Sequence, residues 1–194
     1  MSEAQRDEIL KVLNARSFLS THVEAPSSAT TKAGDLGMTQ LLFDREVPKW
    51  HPRIKLIGTL DTLSSFLNLC KNGAVDREKH AINRIQETLV YIMGEVATHE
   101  QDVEQFMEFY HSLSGSDLTI MDELIQRLEA SGSTFSSWVQ DLDLHKSFAD
   151  TARTFARQAE ASAWELVSQQ KLRPLLAQWL NRLSDYLWAL SRIE

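Results

Sequence analysis

A glycine-bearing loop between Thr31 and Thr39, with the sequence T-K-A-G-D-L-G-M-T, contains residue types that could bind a phosphate. Gly34 and Gly37 let the backbone turn so that several N–H groups point into one concavity, and such a nest binds anions. Lys32 adds a positive charge, and the threonines add hydroxyl groups. The loop has neither the Gly-Lys-Ser/Thr ending of a Walker A loop nor a preceding strand. Taken alone, a polar surface loop is the commoner explanation of so short a motif.

A helical face that bears two arginines one turn apart is the second candidate. One side of this helix carries, at i, i+4, i+7 and i+11, Arg153, Arg157, Glu160 and Trp164. Neighbouring guanidinium groups repel each other slightly, but they are useful where an anion lies between them. A solvated face on which Glu160 is their partner is the alternative, and the spacing alone favours it.

Two further helical stretches place polar groups beside apolar stripes. Asn181, Asp185 and Trp188 are spaced i, i+4 and i+7 among leucines, and Asp61 lies inside an earlier apolar stripe. A buried polar group needs a partner or costs about 1–3 kcal/mol, and a carboxylate needs a cationic partner. Arg182 offers Asp185 only a surface contact. A residue of another helix or a ligand is therefore the more specific hypothesis for the partner of Asp185.

The composition argues against several other classes of function. The six histidines show no metal-ligand spacing, no Ser/His/Asp hydrolase motif is evident, and the one cysteine, Cys70, permits neither a disulfide nor a cysteine zinc cluster. A net charge of −7, from 20 basic and 27 acidic residues, argues against binding to nucleic acid or to an anionic membrane. No apolar run reaches membrane-spanning length and residues 1–13 lack a signal-peptide core, so we expect a cytoplasmic protein.

Apolar residues that recur at three and four predict five long helices. They begin near Arg53, Asp76, Asp117, Leu144 and Leu172 and end near Cys70, His99, Glu129, Val167 and Ile193. Thr119 and Asp122 have the spacing of a capping box for the third helix, and no stretch alternates well enough to predict a strand. Short connections between the helices predict an all-α antiparallel bundle. Residues 3–13 predict a short extra helix followed by a linker, so we expect an extension at 1–29 and one domain at 30–194.

Four motif blocks in order resemble the PduO-type ATP:cob(I)alamin adenosyltransferases. The loop at 31–39 is similar to the family pattern T-K/R-x-G-D-x-G-x-T, and residues 47–63 match V-x-K-x-x-x-R-V/I-x-x-x-G-T-x-D-x-L at every fixed position. Residues 152–160 read A-R-T-F-A-R-Q-A-E and residues 181–188 read N-R-L-S-D-Y-L-W, as the later blocks of the family do. Any one block is moderately specific, but four in order are hard to obtain by chance.

The resemblance implies a ferritin-like five-helix bundle that assembles as a homotrimer, with ATP bound between neighbouring subunits. The residues that it implies for the triphosphate are Thr31, Lys32, Gly34, Asp35, Gly37, Thr39 and Lys49. The catalytic residues that it implies are Arg153, Arg157, Asp61 and Asn181. Both arginines would lie over the phosphates, and Asp61 would pair with Arg153 across the subunit interface. Glu160 and Asn181 would help to hold the nucleotide and its Mg²⁺ ion, with Glu160 as the metal ligand.

Cobalamin is the second substrate that the resemblance implies. Asp185 and Trp188 of the last helix would lie near the corrin. Family members usually carry an F-x-L-P-G-G-S-like stretch that supplies an aromatic residue under the corrin, and here residues 135–141 read F-S-S-W-V-Q-D. Phe135 or Trp138 would take that place, and the sequence does not choose between them.

The implied activity is transfer of the 5′-deoxyadenosyl group of ATP to cob(I)alamin, which gives adenosylcobalamin and triphosphate. Cob(I)alamin is already a strong nucleophile, so the protein would orient the reactants and stabilise charge on the leaving triphosphate. The product would pass to an adenosylcobalamin-dependent enzyme. The altered segment at 135–146 and the extra N-terminal helix motivate an alternative: a non-catalytic relative that binds nucleotide or cobalamin as a sensor, carrier or partner subunit.

Overall fold

A computed structural model of the chain describes residues 32, 34–132 and 142–192. The chain divides into two compact units, Met1–Leu36 and Gly37–Glu194. In the first unit residues 34–36 form a turn, and the Asp35 amide donates to the Lys32 carbonyl at 3.2 Å. The predicted helix at 3–13 and its linker lie outside the described residues, and the domain boundary at residue 30 stays a prediction.

The second unit consists of a short hairpin and a helical bundle. β1 (Met38–Gln40) pairs antiparallel with β2 (Glu46–Pro48). The described helices are α1 (Pro52–Cys70), α2 (Asp76–Val96), α3 (Val103–Phe109), α4 (Gly115–Ala130), α5 (Leu144–Ser168) and α6 (Pro174–Leu190). The prediction of an all-α bundle is confirmed, with the five long helices in the predicted order. Within the described ranges, no helix carries an apolar stretch long enough to cross a membrane.

The hairpin and α3 were not predicted because each is too short to show a period. Each strand has 3 residues, and the connection between them places Phe43 and Asp44 at φ angles of 59° and 58°. Phenylalanine is an uncommon residue in that left-handed region, so the sequence gives no turn signal there. α3 has 7 residues and buries only Phe106. A Cβ added at Gly94 of α2 would lie 3.1 Å from the Phe106 ring, which explains the glycine.

The predicted capping box of α4 was wrong, because a different pair of residues forms it. Thr119 and Asp122 have the required spacing, but the box is formed by Ser114 and Asp117. The Ser114 amide donates to the Asp117 carboxylate at 2.9 Å, which satisfies a backbone donor at the helix start. Thr119 lies inside the helix, where its hydroxyl donates to the Gly115 carbonyl. Ser114 and Asp117 form the cap because Ser114 directly precedes the first residue of the helix.

α5 packs between α1 and α6, and small side chains make this possible. Its buried face consists of five alanines and one leucine: Ala149, Ala152, Ala156, Ala159, Ala163 and Leu166. Small residues let neighbouring helix axes approach closely. Larger side chains of α1 and α6, among them Leu60, Leu63 and Trp179, fill the space around them. α4 packs on α6 and α2 packs on α1, so α5 and α6 form the centre of the bundle.

A buried arginine ties together the loops at one end of the bundle. Arg53, in the first turn of α1, is 1% exposed. It donates to the carbonyls of Val96 at 3.1 Å and Lys171 at 2.6 Å, and to the Glu100 carboxylate at 3.1 Å. Burial lowers the pKa of the Arg53 guanidinium, and the Glu100 carboxylate opposes that shift. These contacts place the start of α1, the end of α2 and the loop after α5 side by side.

A second buried ion pair fixes the starts of α4 and α6 at the same end. Glu95 of α2 is 7% exposed and accepts hydrogen bonds from Arg173 Nη2 at 2.6 Å and from the Leu113 amide at 2.7 Å. Arg173 also donates to the Leu113 carbonyl at 2.9 Å. Removing one member of such a pair would leave the other charge poorly compensated, so the pair specifies which loops meet.

Cys70 at the end of α1 is a free, buried thiol. Burial raises the pKa of this thiol to about 12. The thiolate is therefore scarce near neutral pH, and Cys70 acts as a small apolar residue rather than as a nucleophile.

Replacing Arg53 with methionine should lower the free energy of unfolding by about 3 kcal/mol, because two carbonyls and a carboxylate lose their charged donor. Lys55 is exposed on the same helix, and Lys55→Met serves as the matched control with an expected change within about 0.5 kcal/mol. Urea denaturation followed by circular dichroism measures both variants. An Arg53→Met variant as stable as the control would contradict the role of Arg53 in joining these loops.

Candidate functional site

The loop at 31–39 spans both compact units. Thr31 lies outside the described residues, as do Phe135 and Trp138, and their predicted roles stay predictions. In the first unit, Lys32 has a φ of 56°, and its carbonyl accepts the hydrogen bond from the Asp35 amide. Lys32 and Asp35 are both exposed. A turn therefore lies where the sequence predicts an anion-binding loop.

The hairpin brings together three residues that were predicted to bind ATP: Gly37, Thr39 and Lys49. The Lys49 amide donates to the Gly37 carbonyl at 2.9 Å, and Thr39 lies opposite Val47. Gly37 has a φ of 78°, a conformation that glycine adopts at little cost. Lys49 is exposed and makes no ion pair with a described residue, so its positive charge is available to a ligand.

The hairpin is anchored on the end of the bundle where α1 begins. The Leu42 amide donates to the Ala97 carbonyl at 2.8 Å, just after α2 ends. Arg45 donates two hydrogen bonds of 2.8 Å to the Asp102 carboxylate. This bidentate pair lowers the pKa of Asp102. The position of the hairpin is thus set by contacts that no sequence motif predicts.

The outer face of α5 carries the two arginines that were predicted to lie over the phosphates. Arg153 Nε donates to Asp150 Oδ1 at 2.9 Å. Arg157 is exposed, and neither it nor Glu160 forms an ion pair with any described residue. The exposure of Arg157 agrees with the alternative of a solvated face, but the pairing with Glu160 that it supposed is not formed in the described part of the chain. Arg157 forms no ion pair with a described residue, although it lies near enough to Asp185 to lower the pKa of that carboxyl.

α6 contributes Asn181 and Arg182 to the same region. Arg182 Nε donates to Asp122 Oδ1 of α4 at 3.1 Å, and its Nη1 donates to Asn181 Oδ1 at 3.1 Å. Arg182 thereby orients the Asn181 amide and joins α4 to α6. Asp122 was not predicted as a partner, because the sequence cannot show which faces of two separate helices meet.

Asp185 lies one turn after Asn181 among several charges. Its pKa is raised, first by partial burial between the helices. Glu160 and Asp122 add to this shift as like charges, while Arg182 and Arg157 oppose it. The structure thus brings Asp185 close to the charged residues of α5, as a shared site requires. The sequence predicts a partner for a buried carboxylate here. Asp185 is only partly covered, and no described cation forms an ion pair with it.

Trp188 lies beside an arginine, Arg192, just after the end of α6. The guanidinium of Arg192 lies over the Trp188 ring, 4.8 Å from its centroid. Arg192 Nη1 is 3.8 Å from Asp150 Oδ1, the same carboxylate that holds Arg153. Asp150 therefore links the arginine face of α5 to Trp188. Asp150 and Arg192 lie outside every motif block, so sequence reasoning missed both.

Asp61 is exposed on α1. Its neighbours Leu60 and Leu63 are fully buried, but the carboxylate points away from them and has no partner among the described residues. Because Asp61 lies beside an apolar stripe, the sequence predicts a cationic partner for it. The described residues of one chain supply no such partner. The group is therefore free to meet a cation from another chain.

Comparison with known proteins supports the resemblance drawn from the four motif blocks. The sequence profile of the cobalamin adenosyltransferase family matches residues 29–194. The chain belongs to this family. The predicted family is therefore confirmed, and the matched region contains every motif residue discussed above.

Two curated relatives carry the name corrinoid adenosyltransferase PduO. The protein of Salmonella typhimurium is 34% identical over 166 residues, and that of Citrobacter freundii is 32% identical over 176 residues. The matches cover 84% of this chain but 48% and 49% of the relatives, so the chain spans about half the length of these relatives.

A solved structure shares the fold. It is a phenylalanine-to-alanine variant of a PduO-type ATP:corrinoid adenosyltransferase from Lactobacillus reuteri, complexed with cobalamin and ATP. It superposes with a TM-score of 0.73 at 23% identity and covers 85% of this chain and 92% of the other. At this identity the likeness establishes the helical fold alone.

The raised pKa of Asp185 predicts a pH-dependent cost to stability. The folded protein binds a proton at Asp185 more tightly than the unfolded chain does, so stability falls as pH rises from the ordinary value of 3.8 through the raised folded value. Asp185→Asn removes this cost. The variant should melt at a higher temperature than the wild type at pH 7, and the difference should vanish towards pH 3.

Thermal denaturation at pH 3, 5 and 7 measures this effect. Glu165→Gln, which neutralises an exposed carboxylate on α5, is the control and should show no comparable gain. A melting temperature of Asp185→Asn that is equal to or below that of the wild type at pH 7 would show that Asp185 does not strain the fold.

Proposed function

We propose that this protein transfers the 5′-deoxyadenosyl group of ATP to cob(I)alamin, giving adenosylcobalamin and triphosphate. The observation that carries the proposal is the group of polar residues on the outer side of α5 and α6. There Arg157 lies near Glu160 and Asp185 but forms no ion pair with any described residue. Membership of the cobalamin adenosyltransferase family, and the corrinoid adenosyltransferase names of its relatives, support it.

The proposed reaction forms a bond between cobalt and C5′ of ATP while the bond from C5′ to the triphosphate oxygen breaks. The electron pair of the breaking bond leaves with the triphosphate, so negative charge grows on the leaving group. Arg153 and Arg157 would stabilise that charge, as preorganised cations do in other transfer enzymes. The cobalt of the substrate is itself the nucleophile, so the buried thiol of Cys70 has no covalent role.

The nucleotide would be held by the loop and the hairpin. Backbone N–H groups around Gly34 and Gly37 would bind phosphate oxygens, with Thr31, Thr39 and Asp35 completing the loop. Lys32 and Lys49 would add positive charge, and both are exposed. Asn181, already oriented by Arg182, would hold the nucleotide from α6.

The distance between the hairpin and Arg153 favours a site that two chains share. The hairpin lies where α1 begins, and Arg53 holds Lys171, just after α5, at that same end. Arg153 lies about four turns before the end of α5, or roughly 22 Å along the helix axis. A triphosphate on the hairpin would therefore be out of reach of Arg153 in the same chain. We infer that the loop of one subunit serves the arginines of its neighbour in a homotrimer.

Mg²⁺ would accompany ATP, and the residues present fit an ion that is bound jointly by protein carboxylates and ATP phosphates. The described residues contain no group of three or more histidine, cysteine or acidic side chains that could hold a metal ion by themselves. Mg²⁺ commonly binds one or two carboxylates together with substrate phosphates and water. Glu160 is unpaired and close enough to raise the pKa of Asp185, so it would accept such an ion. When bound, Mg²⁺ would neutralise charge on the triphosphate.

The cobalamin would lie near the end of α6. Trp188 presents an aromatic face that already holds a guanidinium group, and Asp185 lies one turn earlier on the helix. Phe135 or Trp138 would supply the aromatic residue under the corrin. The product would then pass to an adenosylcobalamin-dependent enzyme.

Incubation of the protein with ATP, Mg²⁺ and chemically reduced cobalamin should produce adenosylcobalamin, measured by its absorption spectrum. Arg157→Ala should reduce kcat at least about 100-fold, because it removes a charge that stabilises the leaving group. Lys79→Ala removes a positive charge from α2, away from the proposed site, and should leave turnover unchanged. Calorimetry with ATP accompanies the assay: binding by the wild type without transfer would establish the non-catalytic alternative, and unchanged turnover in Arg157→Ala would remove that residue from the site.

The proposed pairing of Asp61 with Arg153 across subunits predicts a charge-reversal rescue. Asp61→Arg should weaken the trimer, since it would place two positive charges face to face, and Asp61→Arg combined with Arg153→Asp should restore part of the association. Analytical ultracentrifugation over a range of concentrations measures the trimer fraction. A monomeric wild type, or a double variant no better than the single one, would refute the pairing.

A further inference from the structure

A cavity of about 450 Å³ opens between α2, α4 and α6. Its volume is within the range of about 300–1,000 Å³ that is typical of small-molecule sites. Tyr186 lines it, whereas Trp188 belongs to the proposed corrin side. Residues two apart on a helix point about 200° apart around its axis. Tyr186 and Trp188 therefore face different sides of α6. No residue that lines the cavity belongs to the proposed substrate site, so the proposed function makes no use of the cavity.

The floor of the cavity is apolar. It is formed by Ala81 of α2, by the ring of Tyr186, and by three residues of α4: Ile120, Leu124 and Leu128. Leu128 is 5% exposed, and Ile120 and Leu124 are half-buried. Apolar surface that a packed neighbour does not cover gains free energy when the body of a ligand covers it.

The rim of the cavity is basic. Arg77, Arg84 and Arg127 line it in a chain whose net charge is −7, together with His80. Arg77 forms no ion pair with a described residue. Arg127 meets Glu123 only at 3.6 Å, in a pair that is largely exposed and therefore weak.

Acidic groups near the rim offset part of its positive charge. Glu78 also lines the cavity, but it accepts a hydrogen bond from the Val75 amide at 3.2 Å and lies 3.7 Å from His145 Nε2. Arg84 lies 3.5 Å from Glu87 and 3.6 Å from Asp117. The lining itself still carries three arginines against one carboxylate, so the rim keeps an excess of positive charge.

Tyr186 supplies a polar group that has no hydrogen-bond partner among the described residues. Its side chain is 1% exposed. Its hydroxyl makes no hydrogen bond with any residue in the described part of the chain. The hydroxyl is therefore available to donate to an acceptor on a ligand in the cavity.

We propose that this cavity binds an amphipathic organic anion, with one ring system or a short chain as its body and a phosphate or carboxylate as its head. Guanidinium groups bind either head through paired, charge-assisted hydrogen bonds. The apolar floor holds the body, and the Tyr186 hydroxyl donates to an acceptor on the ligand. Binding here does not depend on the proposed adenosyl transfer.

Isothermal titration calorimetry on the full chain with three probes tests this proposal. 1-Naphthyl phosphate and 1-naphthoate should each bind saturably at one site per chain, and the comparison between them shows which head the rim prefers. The uncharged 1-naphthalenemethanol should bind at least about tenfold more weakly, because it lacks the anion. No saturable binding of either anion would overturn the proposal.

Variants locate the site. Arg77→Gln combined with Arg127→Gln should weaken binding of the anions at least about tenfold, and both side chains are exposed, so folding is preserved. Lys79→Gln removes the same kind of charge from α2 outside the cavity and should leave affinity unchanged. Tyr186→Phe should weaken binding without lowering the melting temperature, whereas a purely structural tyrosine would lower it. Unchanged affinity in the double variant would overturn the proposal.

Discussion

The close packing of the alanine face of α5 against α1 and α6 is the constraint on which the rest of the structure depends. Five alanines along one face are fully buried, so the helix has only one rotation in which it fits between its neighbours. Larger side chains there would force the helices apart at a cost of about 1–3 kcal/mol each. That rotation places Arg153, Arg157 and Glu160 on the outer side. The position of the proposed phosphate-binding groups is thus a consequence of core packing.

Polar contacts, by contrast, set how the loops close the bundle. Arg53 and Glu95 are both buried, and a buried charge stabilises a fold only when it is well paired. Arg53 has two carbonyls and a carboxylate as acceptors, and Glu95 has Arg173 and a backbone amide. Because these partners come from several loops, the ion pairs specify one arrangement of chain ends. The hairpin rests on that arrangement through the hydrogen bond from Leu42 to Ala97 and the ion pair of Arg45 with Asp102.

The long helices could be predicted from the sequence, whereas their mutual contacts could not. The periods of α1, α2, α5 and α6 extend over many residues and depend on local spacing alone. The hairpin and α3 are too short for a period. The contacts of Asp122, Asp150 and Arg192 join one helix to another or to the residues just after it. Such contacts depend on how each helix is rotated about its axis, which the sequence of one segment does not specify. The candidate site itself was suggested by four motif blocks, since spacing alone favoured a solvated face for Arg153 and Arg157.

The electrostatics around Asp185 give a separate reason to place a ligand at α5 and α6. Partial burial raises the pKa of Asp185; Arg182 and Arg157 oppose this shift, and Glu160 and Asp122 add to it. A surface optimised for stability would pair these charges, yet Arg157 and Glu160 stay apart within the described chain. Perturbed groups of this kind are frequent where a ligand completes the charge balance. A polyphosphate with its metal ion brings both signs of charge at once, so it would satisfy the free arginine and the free carboxylates together.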